Sequence, residues 1–216
     1  MIPGFIILIV AAYLLGSIPF GLLIARAHGI DLRKIGSGNI GATNVSRALG
    51  KKWAYICFAL DALKGLVPML LAAGFGLVEE NASIGQLTLW LGVGCAAILG
   101  HVFPVYLGFR GGKGVATSMG VVLGLWPYYT LSGLIAFVIW AIAMWMWRYV
   151  SLASLLAAVL FPVILTVLIC LIPDWRFGNL WPLYIAATGI PLLVIARHAE
   201  NIKRLLEGSE PKVGGK

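Results

Sequence analysis

Three short polar segments hold the residues that could do chemistry. The first is Gly36-Ser37-Gly38-Asn39-Ile40-Gly41-Ala42-Thr43-Asn44-Val45-Ser46-Arg47. Gly36 to Gly41 matches G-x-G-x-x-G, but a dinucleotide site needs a preceding strand and a βαβ unit. The residue chemistry still points to an anion. The glycines, Gly38 and Gly41 among them, let backbone N–H groups converge as a nest or a helix N-terminus. Ser37, Asn39, Thr43 and Asn44 add polar side chains, and Arg47 adds a planar cationic fork suited to phosphate. The alternative is a flexible loop with capping residues.

The second segment joins Gly100-His101-Val102-Phe103-Pro104 to Gly108-Phe109-Arg110-Gly111-Gly112-Lys113-Gly114-Val115-Ala116-Thr117. It is not a Walker loop, because Gly114 stands where Ser or Thr would follow the lysine. Glycines around one lysine nevertheless suit phosphate, and Gly111, Gly112 and Gly114 would let a substrate approach the backbone. Alternatively, Arg110 and Lys113 only mark the side of a membrane. His101 alone reads as a hydrogen-bonded helix-end residue.

The third segment is Arg197-His198-Ala199-Glu200-Asn201-Ile202-Lys203-Arg204-Leu205-Leu206-Glu207-Gly208. As a helix it is amphipathic, with Ile202, Leu205 and Leu206 on one face, and it fits an interfacial position. His198, Asn201 and Arg204 recur at helical spacing. A basic anchor for anionic lipid is the competing reading. Ser151 and Ser154 follow Arg148, as substrate donors or helix caps. Asp61 and Lys64, at i and i+3 in an apolar run, read as a buried pair or a site margin.

The elements that must carry these segments are membrane helices. The chain of 216 residues is 61% hydrophobic and 11% charged, against about 25% charged in soluble domains. Met1 to Ala25, Asn81 to Phe109, Val115 to Trp147, Tyr149 to Pro173 and Phe177 to Ala196 hold no Asp, Glu, Lys or Arg. About 20 apolar residues cross the hydrocarbon core as a helix, and lipid allows the backbone little else. The net charge of +8 falls in connecting loops, which favours membrane topology over nucleic acid. Cys57, Cys95 and Cys170 are scattered through apolar runs, with no disulfide framework and no metal spacing. One domain over residues 1–216 is expected, with a polar tail at 209–216 that frays.

Charge sets the expected topology. Arg26, Arg33, Lys34, Arg47, Lys51 and Lys52 place their segment in the cytoplasm and the N-terminus outside. Glu79 and Glu80 fit outside. Arg110, Lys113, Arg197, Lys203, Arg204, Lys212 and Lys216 fit inside. Val115 to Trp147 must therefore cross twice or not at all. Trp126-Pro127 offers a turn, so two short, tilted or half-inserted helices are predicted there. The expected fold is all-α, a polytopic bundle of seven transmembrane helices with a cytoplasmic C-terminus. Its polar loops share one face and suit two phosphorylated molecules, one carrying an acyl chain in the bilayer. No carboxylate or Cys/His cluster of metal type is visible.

GSGNIGATNVSR, GHVFPVYLGFRGGKGVAT and RHAENIKRLLEG, with the Asp61-Lys64-Gly65 stretch and Arg148-Tyr149-Val150-Ser151-Leu152, resemble the bacterial PlsY family of acyl-phosphate:glycerol-3-phosphate acyltransferases. The resemblance runs in motif order through nearly the whole chain. It implies transfer of a fatty acyl group from acyl phosphate to the 1-hydroxyl of glycerol 3-phosphate. The products would be lysophosphatidate and phosphate, in the first acylation of phospholipid synthesis at the bacterial inner membrane. It also implies no metal or other cofactor, no acyl-enzyme, and a functional link to the enzyme that forms acyl phosphate. In that scheme Ser37, Arg47, Lys113 and Asn201 hold phosphates, Thr43 and Ser151 assist, and His198 orients the substrate or acts as a base. A transporter or flippase and a non-catalytic lipid-binding scaffold are the readings from other classes.

Overall fold

A computed structural model describes residues 1–79 and 81–214. Glu80 and Lys216, which entered the charge count, and Gly215 lie outside the described residues. Ten α-helices and no strand occur among the described residues. The chain folds as two compact units, Met1–Gly124 and Leu125–Lys216.

The first unit holds α1 (Ile2–Gly16), α2 (Phe20–Ala27), α3 (Ala42–Leu49), α4 (Lys51–Gly74), α5 (Ile84–Val102) and α6 (Val115–Gly124). Helices α1 and α2 share one apolar span, Ile2–Ala27, interrupted where Pro19 precedes α2. Proline cannot continue the hydrogen-bond ladder, so the break exposes backbone groups. The Ser17 hydroxyl donates to the Tyr13 carbonyl at 2.8 Å. The Ile18 carbonyl accepts from Lys64 Nζ at 3.0 Å. Helix α5 starts in a reciprocal capping box between Ser83 and Gln86, which satisfies two otherwise orphaned donors.

Glycines let these helices touch backbone to backbone. A methyl on Gly16 would strike the Ala97 carbonyl, and one on Gly100 would strike the Tyr13 carbonyl, so α1 lies tight on α5. Gly65 meets the Thr117 carbonyl and Gly120 meets the Ala62 carbonyl, which seats α6 on α4. Close approach through small residues is how helices associate where lipid supplies no hydrophobic drive.

The second unit holds α7 (Tyr128–Trp147), α8 (Val150–Leu171), α9 (Phe177–Ala196) and α10 (Ala199–Leu206). Helix α8 packs on α7, α9 and α10. The Tyr129 hydroxyl donates to the Leu183 carbonyl. Pro162 in α8 and Pro182 and Pro191 in α9 are of the kind membrane helices tolerate.

Among the described residues, six helical stretches are long and apolar enough to cross a membrane: Ile2–Ala27, Lys51–Gly74, Ile84–Leu107, Tyr128–Trp147, Val150–Leu171 and Phe177–Ala196. Their outer faces carry exposed Ile7, Leu171, Ile185 and Trp145, the last 83% exposed. Apolar exposure on that scale marks a surface for lipid. The two helices expected in Val115 to Trp147 are unequal. Helix α6 has 10 residues and α7 has 20. At about 1.5 Å per residue, α6 is roughly 15 Å long, half of a core about 30 Å thick. The Trp126-Pro127 peptide, which is cis, lies between them, a little before the middle of the run.

Candidate active site

The first polar segment is built around Asn44. Its side-chain Nδ2 donates to the carbonyls of Leu32 (3.1 Å) and Ile35 (2.9 Å), and its Oδ1 accepts from the Ser37 N–H at 3.2 Å. Asn44 is buried, so these three bonds tie the start of α3 to the loop before it. Gly36 and Gly38 have φ of 57° and 68°, left-handed values that glycine adopts without cost. A side chain at Gly36 would also meet Asn44 Oδ1. Asn39 Oδ1 accepts from the Gly41 N–H at 2.9 Å, and the Gly38 N–H donates to Ile35. Three of the loop amides expected to cradle an anion are therefore engaged within the loop. What the segment offers outward is side chains. The Ser37 and Thr43 hydroxyls have no partner among the described residues, and neither does the exposed Arg47 guanidinium. The Arg47 stem lies over Gly36, its Cδ 3.4 Å from where a Cβ would stand.

Upstream, Asp31 caps the short 3-10 helix Leu32–Lys34 and forms a two-pronged pair with Arg33, at 2.9 and 3.0 Å. The hydrogen bond from the Arg33 side chain holds the Asp31 carboxyl down at about 2. Arg33 is thus neutralised locally, and Arg47 is not. Beneath the segment, Leu22, Ala25, Leu32, Ile40, Val45 and Cys57 form one buried cluster.

The second segment is held from behind by His101. The Gly111 N–H donates to the Val102 carbonyl and the Gly112 N–H to the His101 carbonyl, both at 3.1 Å. A methyl on Gly112 would strike the His101 ring, and one on Gly111 would strike the His101 carbonyl and Pro104. These two glycines make room for packing rather than for a ligand. Gly114, with φ of 88°, turns the chain from Lys113 into α6. In the first turns of α6 the Thr117 and Ser118 hydroxyl oxygens are buried with no hydrogen-bond partner among the described residues.

Behind His101 lies a buried ionic group. Asp61 Oδ1 is 2.7 Å from Lys64 Nζ and 3.6 Å from His101 Nδ1. The Cys57 thiol donates to Asp61 Oδ2 at 3.7 Å. Asp61 and Lys64 form the intrahelical pair their spacing implied, with His101 joined to it. Cys57 also stands 3.1 Å from where a Cβ on Gly21 would be, and that same position abuts the Ile40 carbonyl. One polar row along α4 therefore backs both glycine segments.

In the second unit, His198 and Asn201 belong to α10 and its N-cap. His198 Nδ1 donates to the Val194 carbonyl at 2.7 Å. A carbonyl can only accept, so this contact puts a proton on Nδ1, and the neutral ring then carries its lone pair on Nε2. Asn201 Nδ2 donates to Glu210 Oε1 at 2.6 Å, the Ser151 hydroxyl donates to the same oxygen at 2.7 Å, and Arg204 Nε donates to Oε2 at 2.7 Å. Burial alone would raise the Glu210 carboxyl. The hydrogen bonds from Ser151, Arg204 and Asn201 outweigh it and hold the group below its ordinary value.

The structure thus brings Ser37, Asn44 and Arg47 together around one loop, sets Lys113 between Gly112 and α6, and joins Ser151 to Asn201 through Glu210. Sequence reading missed Glu210, placing it in a tail that frays. The available signal was Gly208 before Ser209-Glu210-Pro211, a helix stop that reverses the chain. Among the described residues no group of three His, Cys, Asp or Glu could hold a metal.

The chain matches the family model for glycerol-3-phosphate acyltransferase over residues 6–208. It is 45% identical to the glycerol-3-phosphate acyltransferase of Aquifex aeolicus, covering 94% of this chain and 96% of that one. It is 47% identical to that of Geotalea daltonii, with 95% of each covered. Among solved structures it resembles PlsY (YgiH), an integral membrane glycerol 3-phosphate acyltransferase, in its glycerol 3-phosphate form. That match has a TM-score of 0.82 and 42% identity, over 98% of this chain and 96% of that one. The lysophosphatidic acid form of PlsY aligns with a TM-score of 0.78 at 42% identity, over 97% and 95%.

Proposed function

We propose, since the chain belongs to the glycerol-3-phosphate acyltransferase family, that it transfers a fatty acyl group from acyl phosphate to the 1-hydroxyl of sn-glycerol 3-phosphate. The products are 1-acyl-glycerol 3-phosphate and inorganic phosphate. The observation that carries the reading is the unpartnered Arg47 guanidinium held over Gly36, beside the unpartnered Ser37 hydroxyl, on a loop locked by Asn44. That is an anion site with its donors facing outward and its framework internally satisfied.

Acyl phosphate is a mixed anhydride, so the donor arrives activated. The enzyme needs chiefly to orient two reactants and stabilise charge. The 1-hydroxyl oxygen attacks the acyl carbon. Its carbonyl becomes an oxyanion, and the C–O bond to phosphate breaks as the carbonyl reforms. Arg47, Ser37 and Lys113 hold the phosphates, with Thr43 assisting, and Lys113 stabilises the developing charge. Asn201 and Ser151 contact substrate. The hydroxyl proton passes to the departing phosphate. His198 Nε2 is the alternative acceptor, because Nδ1 is committed to Val194. The reaction belongs to the inner membrane, at its cytoplasmic face, where the basic loops fall under the positive-inside rule.

The test is phosphate release by the purified protein from palmitoyl phosphate with glycerol 3-phosphate, run beside palmitoyl-CoA. Phosphate and lysophosphatidate should appear only with palmitoyl phosphate. Turnover with palmitoyl-CoA alone would overturn the donor assignment, and an acyl adduct by intact mass would overturn direct transfer. His198→Ala should retain activity if phosphate takes the proton.

A further inference from the structure

Helix α10 ends in a reversal. Gly208, at φ of 70°, follows the last turn, and the N–H groups of Ser209 and Glu210 both donate to the Arg204 carbonyl, at 2.8 and 3.2 Å. This left-handed stop satisfies an orphaned helix carbonyl. It also turns the chain so that Glu210 returns over the helix it has just left. The return is fixed further on, where the Val213 N–H donates to the Arg148 carbonyl at 2.8 Å and Lys212 Nζ stands 5.3 Å from the centre of the Tyr149 ring. Glu210 is 8% exposed.

Its two oxygens are used differently. Oε1 accepts from both Asn201 and Ser151, and Oε2 accepts from Arg204. Asn201 lies on α10 and Ser151 on α8, so a single carboxylate oxygen joins the two helices. A carboxylate accepting from a hydroxyl, an amide and a guanidinium makes short, charge-assisted bonds. Such bonds fix the direction of a side chain that otherwise turns freely. A displacement of about 1 Å in a group that orients substrate can cost about a hundredfold in rate.

We infer that Glu210 is a positioning residue for acyl transfer, acting by fixing the Asn201 amide and the Ser151 hydroxyl. The inference rests on the acyl-transfer reading, in which those two groups meet substrate. Glu210 itself touches no reactant, and its effect passes wholly through its partners.

The test is a kinetic cycle on the full-length purified protein. Glu210→Ala, Asn201→Ala and the double variant are assayed for phosphate release from palmitoyl phosphate with glycerol 3-phosphate. Thermal melts and gel filtration check folding. Glu210→Ala should lose at least tenfold in kcat while eluting as a folded protein. The double variant should lie within about threefold of Asn201→Ala, because the two changes remove one function. A second pair keeps the contact and reverses its polarity. Asn201→Asp sets two carboxylates against each other and should melt lower, and adding Glu210→Gln should recover most of that loss.

Wild-type kcat and KM in folded Glu210→Ala would overturn the inference, leaving acyl transfer intact. So would multiplying losses in the double variant, or no recovery in the swapped pair. If the wild-type protein releases no phosphate from this substrate pair, the acyl-transfer reading fails and takes the positioning role with it.

Discussion

Arg47 and Asn44 sit three residues apart and do opposite things. Arg47 makes no contact that folding needs, so Arg47→Ala should leave the melting temperature unchanged. A hydrogen bond to a charged group is worth about 1.5–3 kcal/mol, or about 10- to 150-fold in kcat/KM. Arg47→Lys should recover part of this, since lysine keeps the charge and loses the fork. Asn44→Ala should act through structure. It removes three hydrogen bonds at about 1 kcal/mol each, so the melting temperature and activity should fall together. Glu210 adds a pH signature. Its carboxyl lies below its ordinary 4.5 in the folded chain, so its contribution is present above that range and is lost as pH falls through the lowered value. The melting difference between the wild-type protein and Glu210→Gln should therefore shrink on acidification from about pH 6 to about pH 3.

Among the elements, α4 carries most of the burden. On one side it presents Gly65 and the Ala62 carbonyl to α6, and through Cys57, Asp61 and Lys64 it backs both glycine segments. Gly120→Ala should be severe, because its methyl would overlap the Ala62 carbonyl. Overpacking of this kind costs about 1–3 kcal/mol or more, and here the obstacle is backbone that cannot rotate away. Gly178→Ala, which meets open space, should be neutral or slightly stabilising. Thermal melts of the two variants in one detergent decide the matter. The pairing of Asp61 with Lys64 was legible from their spacing alone. The wedge of His101 behind Gly112 was not, because no periodicity links a helix end to a loop eleven residues later. Asn44 was misjudged for a related reason. Its partners are two backbone carbonyls and a backbone N–H, which nearly any residue type supplies.

At the scale of the whole molecule, the charge-free runs made the apolar spans readable. Ionised groups are expensive in hydrocarbon, so their absence over about 20 residues is informative without any periodicity. The division of Val115 to Trp147 was legible at Trp126-Pro127, but the unequal lengths of its two helices were not. A lipid-facing helix has no polar face, and nothing in composition separates a half-span from a full one. The topology expected from the charges makes a direct prediction. In a background with Cys57, Cys95 and Cys170 replaced by alanine, Glu79→Cys should react with an impermeant maleimide on intact spheroplasts. Lys34→Cys should react only after lysis. Both positions are exposed, so an equal response from both, or the reverse order, would overturn the orientation.

The return of the chain at Gly208 has a consequence for how the protein is made. Synthesis proceeds from the N-terminus, and Glu210 follows α10 in chain order. Helices α7, α8 and α9 are already made when it is still to be polymerised. The bonds to Asn201, Ser151 and Arg204 can close only after Glu210 has been added and has cleared the ribosome. A chain cut just before Glu210 would hold every described helix and still lack the carboxylate that accepts from Asn201, so the order of the chain makes this contact form after the helices it joins.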